Sequence, residues 1–178
     1  MLSEVGEENT ISLLGGFSCK LNPDVEQFLT QPSKAIRFER TCNARTYLVL
    51  DEATSDILGY FAVSFKELTL EGTSLSKNSV KRLDGINKNA ERIRAFLIGQ
   101  LGKNTAVRNN SIKLANLLDE VYGVVSAAKA LIGGRVIILE CEDSPKLIEL
   151  YEKEGFTLIG FDGEPRPSLR TMYLPITD

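Results

Sequence analysis

Residues 144–156 read SPKLIELYEKEGF, and one group in this stretch could handle a proton, the phenol of Tyr151. Ser144 suits an N-cap, Pro145 a first helical position and Gly155 a stop, so Tyr151 falls in the last turn of a short helix. A phenol there either fills a core or passes a proton. Histidine is absent from the chain. That removes the commonest general base, the commonest zinc ligand and the third member of any Ser–His–Asp triad. Carboxylate, tyrosine, cysteine, lysine or water must carry any proton transfer. A second candidate is the polar loop Lys103–Asn110 running into a long apolar-periodic stretch from Ser111. A loop entering a helix N-terminus presents unpaired N–H groups to an anion, and Arg108 and Lys113 add positive charge. The bland alternative is a solvated loop before a capped helix.

The three cysteines, Cys19, Cys42 and Cys141, form no CxxC pair and no zinc spacing, and no metal site is expected. They suit a reduced, cytoplasmic chain. Cys141 has no basic partner in the sequence and reads as structural. No signal peptide is visible in acidic Met1–Thr10, and no apolar run reaches the roughly 18 residues needed to span a bilayer.

The chain has 178 residues, 43% apolar and 25% charged, with a formal net charge of −3. That is enough for one domain with a full core, so residues 1–178 are read as a single domain. The net acidity argues against a nucleic-acid partner, except at the basic clusters Lys77–Arg82 and Lys88–Arg94.

The elements that must position these groups follow from periodicity. Residues 1–10 read as a loose lead and Ile11–Leu21 as weakly strand-like. Asn22-Pro23-Asp24 opens a helix, and a second helical piece runs from Ser33 to about Thr41. Thr46–Asp51 and Ile57–Leu70 form a hairpin. Residues 71–91, polar with few apolar anchors, read as a surface insertion. Arg92–Leu101 is a strand, Ser111–Ala130 a long amphipathic helix ended by Gly133-Gly134, and Arg135–Cys141 a buried strand. After the helix Ser144–Glu154 come a strand Phe156–Phe161, a proline-containing loop and a last strand Met172–Ile176. The order predicts an α/β (α+β) fold: a mixed sheet with helices on both faces.

The chain resembles the GNAT superfamily of acetyl-coenzyme A-dependent N-acyltransferases at two places. Leu101-Gly102-Lys103 stands where that family has Leu-Ala-Val at a strand end. Arg108-Asn109-Asn110-Ser111-Ile112-Lys113 stands where it has Q/R-x-x-G-x-G/A, with both glycines replaced, by Ser111 and Lys113. Leu150-Tyr151-Glu152-Lys153-Glu154-Gly155-Phe156, preceded by Ser144, matches the family's Leu-Tyr-Glu-Lys-x-Gly-Phe.

The resemblance implies a mostly antiparallel sheet with one splayed parallel pair, the strands at 95–102 and 135–141. It implies acetyl-coenzyme A as donor. Its pantetheine would lie on Leu101, Gly102 and Lys103, and its pyrophosphate on Arg108, Asn109, Asn110, Ser111, Ile112 and Lys113, with Leu114, Ala115 and Ser144 adjoining. A primary amine of a small molecule or protein would attack the thioester directly. Tyr151 would protonate the departing thiolate, and Glu140 or Glu142 would take the amine's proton. Two alternatives stay open: a binding or regulatory module with weak turnover, which the lost glycines favour, and toxin-like acetylation of aminoacyl-tRNA, which the acidic pI argues against and the Lys77–Arg94 cluster keeps open. Many relatives dimerise, so a homodimer is a further expectation.

Overall fold

The computed structural model describes residues 6–162 and 167–176. Its six strands form one mixed sheet in the order β1-β2-β3-β4-β6-β5. These are β1 (Arg45–Leu50), β2 (Ile57–Thr69), β3 (Arg92–Lys103), β4 (Val136–Glu142), β5 (Thr157–Leu158) and β6 (Leu169–Pro175). The helices are α1 (Glu7–Leu14), α2 (Pro23–Thr30), α3 (Ala35–Arg40), α4 (Lys77–Asp84), α5 (Leu114–Ile132) and α6 (Pro145–Lys153). β1 and β2 pair antiparallel, as expected of the hairpin, and β4 pairs antiparallel with β6 over its whole length. β3 and β4 run parallel, in register from Phe96/Ile137 to Ile98/Leu139. A parallel pair needs a crossover between its strands, and α5 lies in that connection. Among the described residues no helix is long and apolar enough to cross a membrane.

The chain divides into two compact units, Met1–Ser64 with Gly99–Tyr122, and Phe65–Ile98 with Gly123–Asp178. In the first, Leu14, Phe17, Leu29, Ile36 and Tyr60 form the core. The Tyr60 hydroxyl donates to the Val25 carbonyl at 2.6 Å, and Phe17 meets its ring edge-on at 5.1 Å. α2 starts as its sequence dictates: Asn22 Oδ1 accepts from the amides of Asp24 and Val25, with Pro23 at the first position.

The lead segment departs from expectation. Residues 7–14 are a helix rather than a loose lead followed by strand. Ile11 and Leu14 are three apart, Thr10 and Leu14 four apart, and Thr10 and Leu14 are buried, so helical spacing prevails over the local alternation. Glu7 and Glu8 sit in the first turn, where the helix dipole favours them. Residues 1–5 and the proline-containing loop at 163–166 lie outside the described residues.

In the second unit Leu68, Val80, Leu83, Ile93, Val136 and Ile138 are buried together. Two of them lie on α4, so the segment read as a surface insertion is anchored through Val80 and Leu83, three residues apart on one helix face. Ser76 caps α4 by accepting from Ser79 N at 3.1 Å, and Gly85, left-handed at φ 93°, ends it. The strand expected over Phe156–Phe161 is reduced to Thr157–Leu158. The glycine pair after α5 has a packing reason. Gly134 has φ +131°, and a Cβ there would lie 2.2 Å from Cε2 of Phe96. Only a glycine lets the chain pass so close to that ring.

Gly134→Ala must therefore displace Phe96 or the backbone, at a cost of roughly 1–3 kcal/mol. Thermal melts should show a clear fall in Tm, whereas Gly123→Ala, in open space on α5, should leave it unchanged or raised.

Candidate functional site

In the first unit the loop after β3 is organised by a buried amide. Asn104 is 3% exposed. Its Nδ2 donates to the Ile57 carbonyl at 2.8 Å, and its Oδ1 accepts from Ser18 N at 3.1 Å and Ala106 N at 2.9 Å. Asn110 continues the network: its Nδ2 donates to the carbonyls of Leu58 and Asn104, and its Oδ1 accepts from Ile112 N. Between them Asn109 takes the left-handed conformation at φ 58°, one that asparagine tolerates. Ser111 and Lys113 are not left-handed. The loop makes its sharp turn at Asn109, so the two absent glycines are not needed for its course.

The long helix begins at Leu114 rather than Ser111. Lys113 N is taken by Asn116 Oδ1 at 2.9 Å, and Ile112 N by Asn110. Two amides expected to face an anion are thus already satisfied. The amides of Leu114, Ala115 and Asn116 open α5 without a hydrogen-bond partner among the described residues. A cleft of about 460 Å³ beside this loop is bordered by Ser55, Asp56, Asn104, Val107 and Arg108. Lys103, Arg108 and Lys113 are exposed and make no ion pair among the described residues. Leu101 is half-buried. Gly102 is buried, and a Cβ there would lie 2.4 Å from Val25 Cγ1. Packing against Val25 and Tyr60 therefore accounts for the missing side chain at Gly102.

In the second unit Tyr151 is held by the end of its helix. Phe156 N donates to the Tyr151 carbonyl at 3.1 Å, Gly155 N donates to the Glu152 carbonyl at 2.9 Å, and Gly155 has φ 90°. This pair of bonds is a Schellman cap. Its usual apolar contact is the Tyr151–Phe156 ring pair, 6.0 Å apart and edge-to-face. The Gly-Phe that follows Tyr151 in the sequence is therefore a helix stop that also clamps the tyrosine ring. The cap explains an aromatic ring at 151 and leaves the hydroxyl unexplained. Burial, and then the nearby Cys141, push the Tyr151 phenol up to about 12. It stays protonated at neutral pH.

Glu140 is held by Lys66, whose Nζ lies 2.7 Å from both carboxylate oxygens. Glu142 is exposed at the end of β4 and makes no ion pair among the described residues. Cys141, between them, is buried, with its Sγ 4.0 Å from Met172 Sδ. Burial raises its pKa, which suits a structural thiol. Ser144 occupies the N-cap position of α6, but its side chain makes no cap hydrogen bond; its carbonyl accepts from Leu147 N and Ile148 N. The sequence singles out Tyr151 and Arg108 as candidates. It does not mark Asn104 and Asn116, whose roles depend on partners brought by folding.

The mixed sheet with its short parallel pair is the GNAT-type fold. Among solved structures it is shared with AtaT complexed with acetyl-methionyl-tRNAfMet, at TM-score 0.68 and 18% identity over 91% of this chain and 86% of that one. A tyrosine-to-phenylalanine mutant of KacT matches at TM-score 0.67 and 19% identity, over 91% and 86%. AtaTR bound with AcCoA matches at 0.64 and 21%, over 91% and 86%. No family model matches the chain, and no curated protein does. The expectation against a nucleic-acid partner finds no support among these neighbours.

A phenol at about 12 titrates late. Following tyrosinate absorbance from pH 9 to 13 should show a component near pH 12 that Tyr151→Phe removes. The sign for stability follows from the same shift. The folded state holds this proton more tightly than the unfolded chain, so the contribution is complete below about pH 10 and is lost as pH rises through about 12. Tyr151→Phe should abolish that part of the alkaline decline.

Proposed function

We propose that this chain is an acetyl-coenzyme A-dependent N-acetyltransferase whose acceptor is the α-amine of an aminoacyl-tRNA. The observation that carries the reading is the fold's likeness, over 91% of the chain, to AtaT complexed with acetyl-methionyl-tRNAfMet. It is supported by the clamped Tyr151 at the matching helix end. This acceptor replaces the small-molecule or protein amine suggested by the sequence alone.

The chain's chemistry favours the same acceptor. A free α-amine has a pKa of about 7.7–8.0, so roughly a third of it is unprotonated at pH 7.5. A lysine amine at about 10.4 is unprotonated in roughly one molecule in a thousand. A protein without histidine, whose Glu140 is engaged by Lys66, has little means to deprotonate a lysine. An α-amine arrives largely prepared. Glu142, exposed, or water takes the proton released after attack.

In this reading the backbone amides of Leu114–Asn116, with the Ser111 hydroxyl and the cations Arg108 and Lys113 beside them, hold the pyrophosphate. Leu101 and Lys103 offer backbone groups to the pantetheine arm. The amine nitrogen attacks the thioester carbonyl, the C–N bond forms and the C–S bond breaks. The sulfur leaves with the electron pair. A phenol at about 12 is a weaker acid than a thiol at about 8.5, by roughly 3.5 units. Tyr151 therefore donates a hydrogen bond to the departing sulfur, and solvent completes the protonation.

Acetyl-coenzyme A should raise Tm, by an amount equivalent to about 2.7 kcal/mol at a hundredfold excess over its Kd. Tyr151→Phe should keep that shift while single-turnover acetylation of a charged tRNA falls about a hundred- to thousand-fold. Turnover within about threefold of the parent would assign Tyr151 to packing. The absence of any melting shift would favour the non-catalytic binding module.

A further inference from the structure

The second unit carries a surface that the acetyl-transfer reading does not use. A depression of about 490 Å³ is bordered by Phe65, Lys66, Arg94, Phe96, Ile132 and Gly134. Phe65 is 64% exposed and leans on the buried ring of Phe96, with centroids 5.1 Å apart. An aromatic ring so exposed, yet braced from beneath, presents a fixed flat face. The floor is fixed too, since Gly134 lies against the Phe96 ring where no side chain fits.

Two cations, Lys66 and Arg94, and one acid, Glu67, border it. Residues 77–94 hold six cations, Lys77, Lys81, Arg82, Lys88, Arg92 and Arg94, against two acids, Asp84 and Glu91, in a chain whose net charge is −3. Some basic groups near the depression are neutralised: Lys66 pairs with Glu140, and Arg92 with Glu67. Arg94 is exposed at the depression and has no acidic partner among the described residues. Arg135, next to Gly134, donates to the Arg82 carbonyl and ties the basic α4 to the rim. An arginine without an acidic partner beside a braced aromatic face matches a strand of nucleic acid, whose bases stack and whose phosphates need neutralising. A purely apolar protein partner would leave Arg94 unmatched.

We propose that this depression is an RNA-docking subsite, with an unpaired base stacked on Phe65 and a flanking phosphate held by Arg94. The inference rests on the aminoacyl-tRNA reading and places part of that substrate's body on the second unit. Phe65 and Arg94 are positioning residues here.

The test measures binding of fluorescein-labelled bulk tRNA by anisotropy at several salt concentrations, with the acetyl-coenzyme A melting shift recorded on the same samples. Phe65→Leu keeps an apolar side chain and removes the stacking face. Arg94→Ala removes one cation, and Arg94→Glu reverses it. We expect each to weaken tRNA binding roughly tenfold, with the acetyl-coenzyme A shift retained. Arg94→Ala should also lower the slope of log K against log salt by about 0.7–0.9, whereas Phe65→Leu should leave the slope unchanged. If the parent binds tRNA and the variants bind equally well, the subsite is overturned and the substrate reading stands. If the parent binds no tRNA even at low salt, both fall, and the acetyl-coenzyme A shift then reports on cofactor binding separately. If Phe65→Leu instead converts a sedimenting dimer to a monomer with tRNA affinity unchanged, the face joins two copies of this chain and the subsite is overturned.

Discussion

The buried amide of Asn104 is the interaction on which the loop after β3 depends. One side chain meets the carbonyl of Ile57 and the amides of Ser18 and Ala106. It thereby fixes the start of β2, the segment before α2 and the first turn of the loop after β3. An unsatisfied polar group at 3% exposure would cost about 1–3 kcal/mol for each lost partner, so the loop has little freedom to take another course. Asn110 and Asn116 extend the same logic to Ile112 and Lys113. Three asparagines thus do by side-chain hydrogen bonding what a glycine-rich turn does by backbone freedom. The donors left over for an anion lie at the first turn of α5.

The second unit solves a different problem with a helix stop. The Schellman cap at Gly155 places Phe156 against Tyr151 and fixes the ring before any ligand arrives. Burial then raises the phenol's pKa. The same burial that guarantees a proton at neutral pH makes the group reluctant to release it. That balance suits a hydrogen-bond donor to a sulfur that leaves as a stable thiolate.

Much of the fold could be read from the sequence because its signals were local. Asn22-Pro23, Ser76 and Gly155 mark helix ends through bonds to neighbours a few residues away. The β1–β2 hairpin and the apolar run of β4 follow from period-two and continuous burial. The candidate residues that the sequence offers also come from local pattern: Tyr151 with Gly-Phe behind it, and Arg108 in a polar loop before a periodic helix. Two segments show what local pattern leaves out. Residues 1–10 read as a loose lead and 11–21 as weakly strand-like, whereas 7–14 are helical; 71–91 read as a surface insertion with few apolar anchors. In each case a pair of apolar or small side chains, Thr10 with Leu14 and Val80 with Leu83, found burial that only the folded chain supplies.

By itself the sequence determined the element order, the caps, the absence of an imidazole and the crowding of cations between residues 77 and 94, because composition and short-range bonds need no partner from afar. Tertiary structure decided the rest. It put Asn104 under the carbonyl of Ile57, 47 residues away, and engaged Glu140 with Lys66 across 74 residues. It moved the start of α5 to Leu114 and set Phe65 on Phe96 at a depression that Arg94 borders. These outcomes depend on which distant groups share a low-dielectric, close-packed space, and one-dimensional spacing carries no record of that.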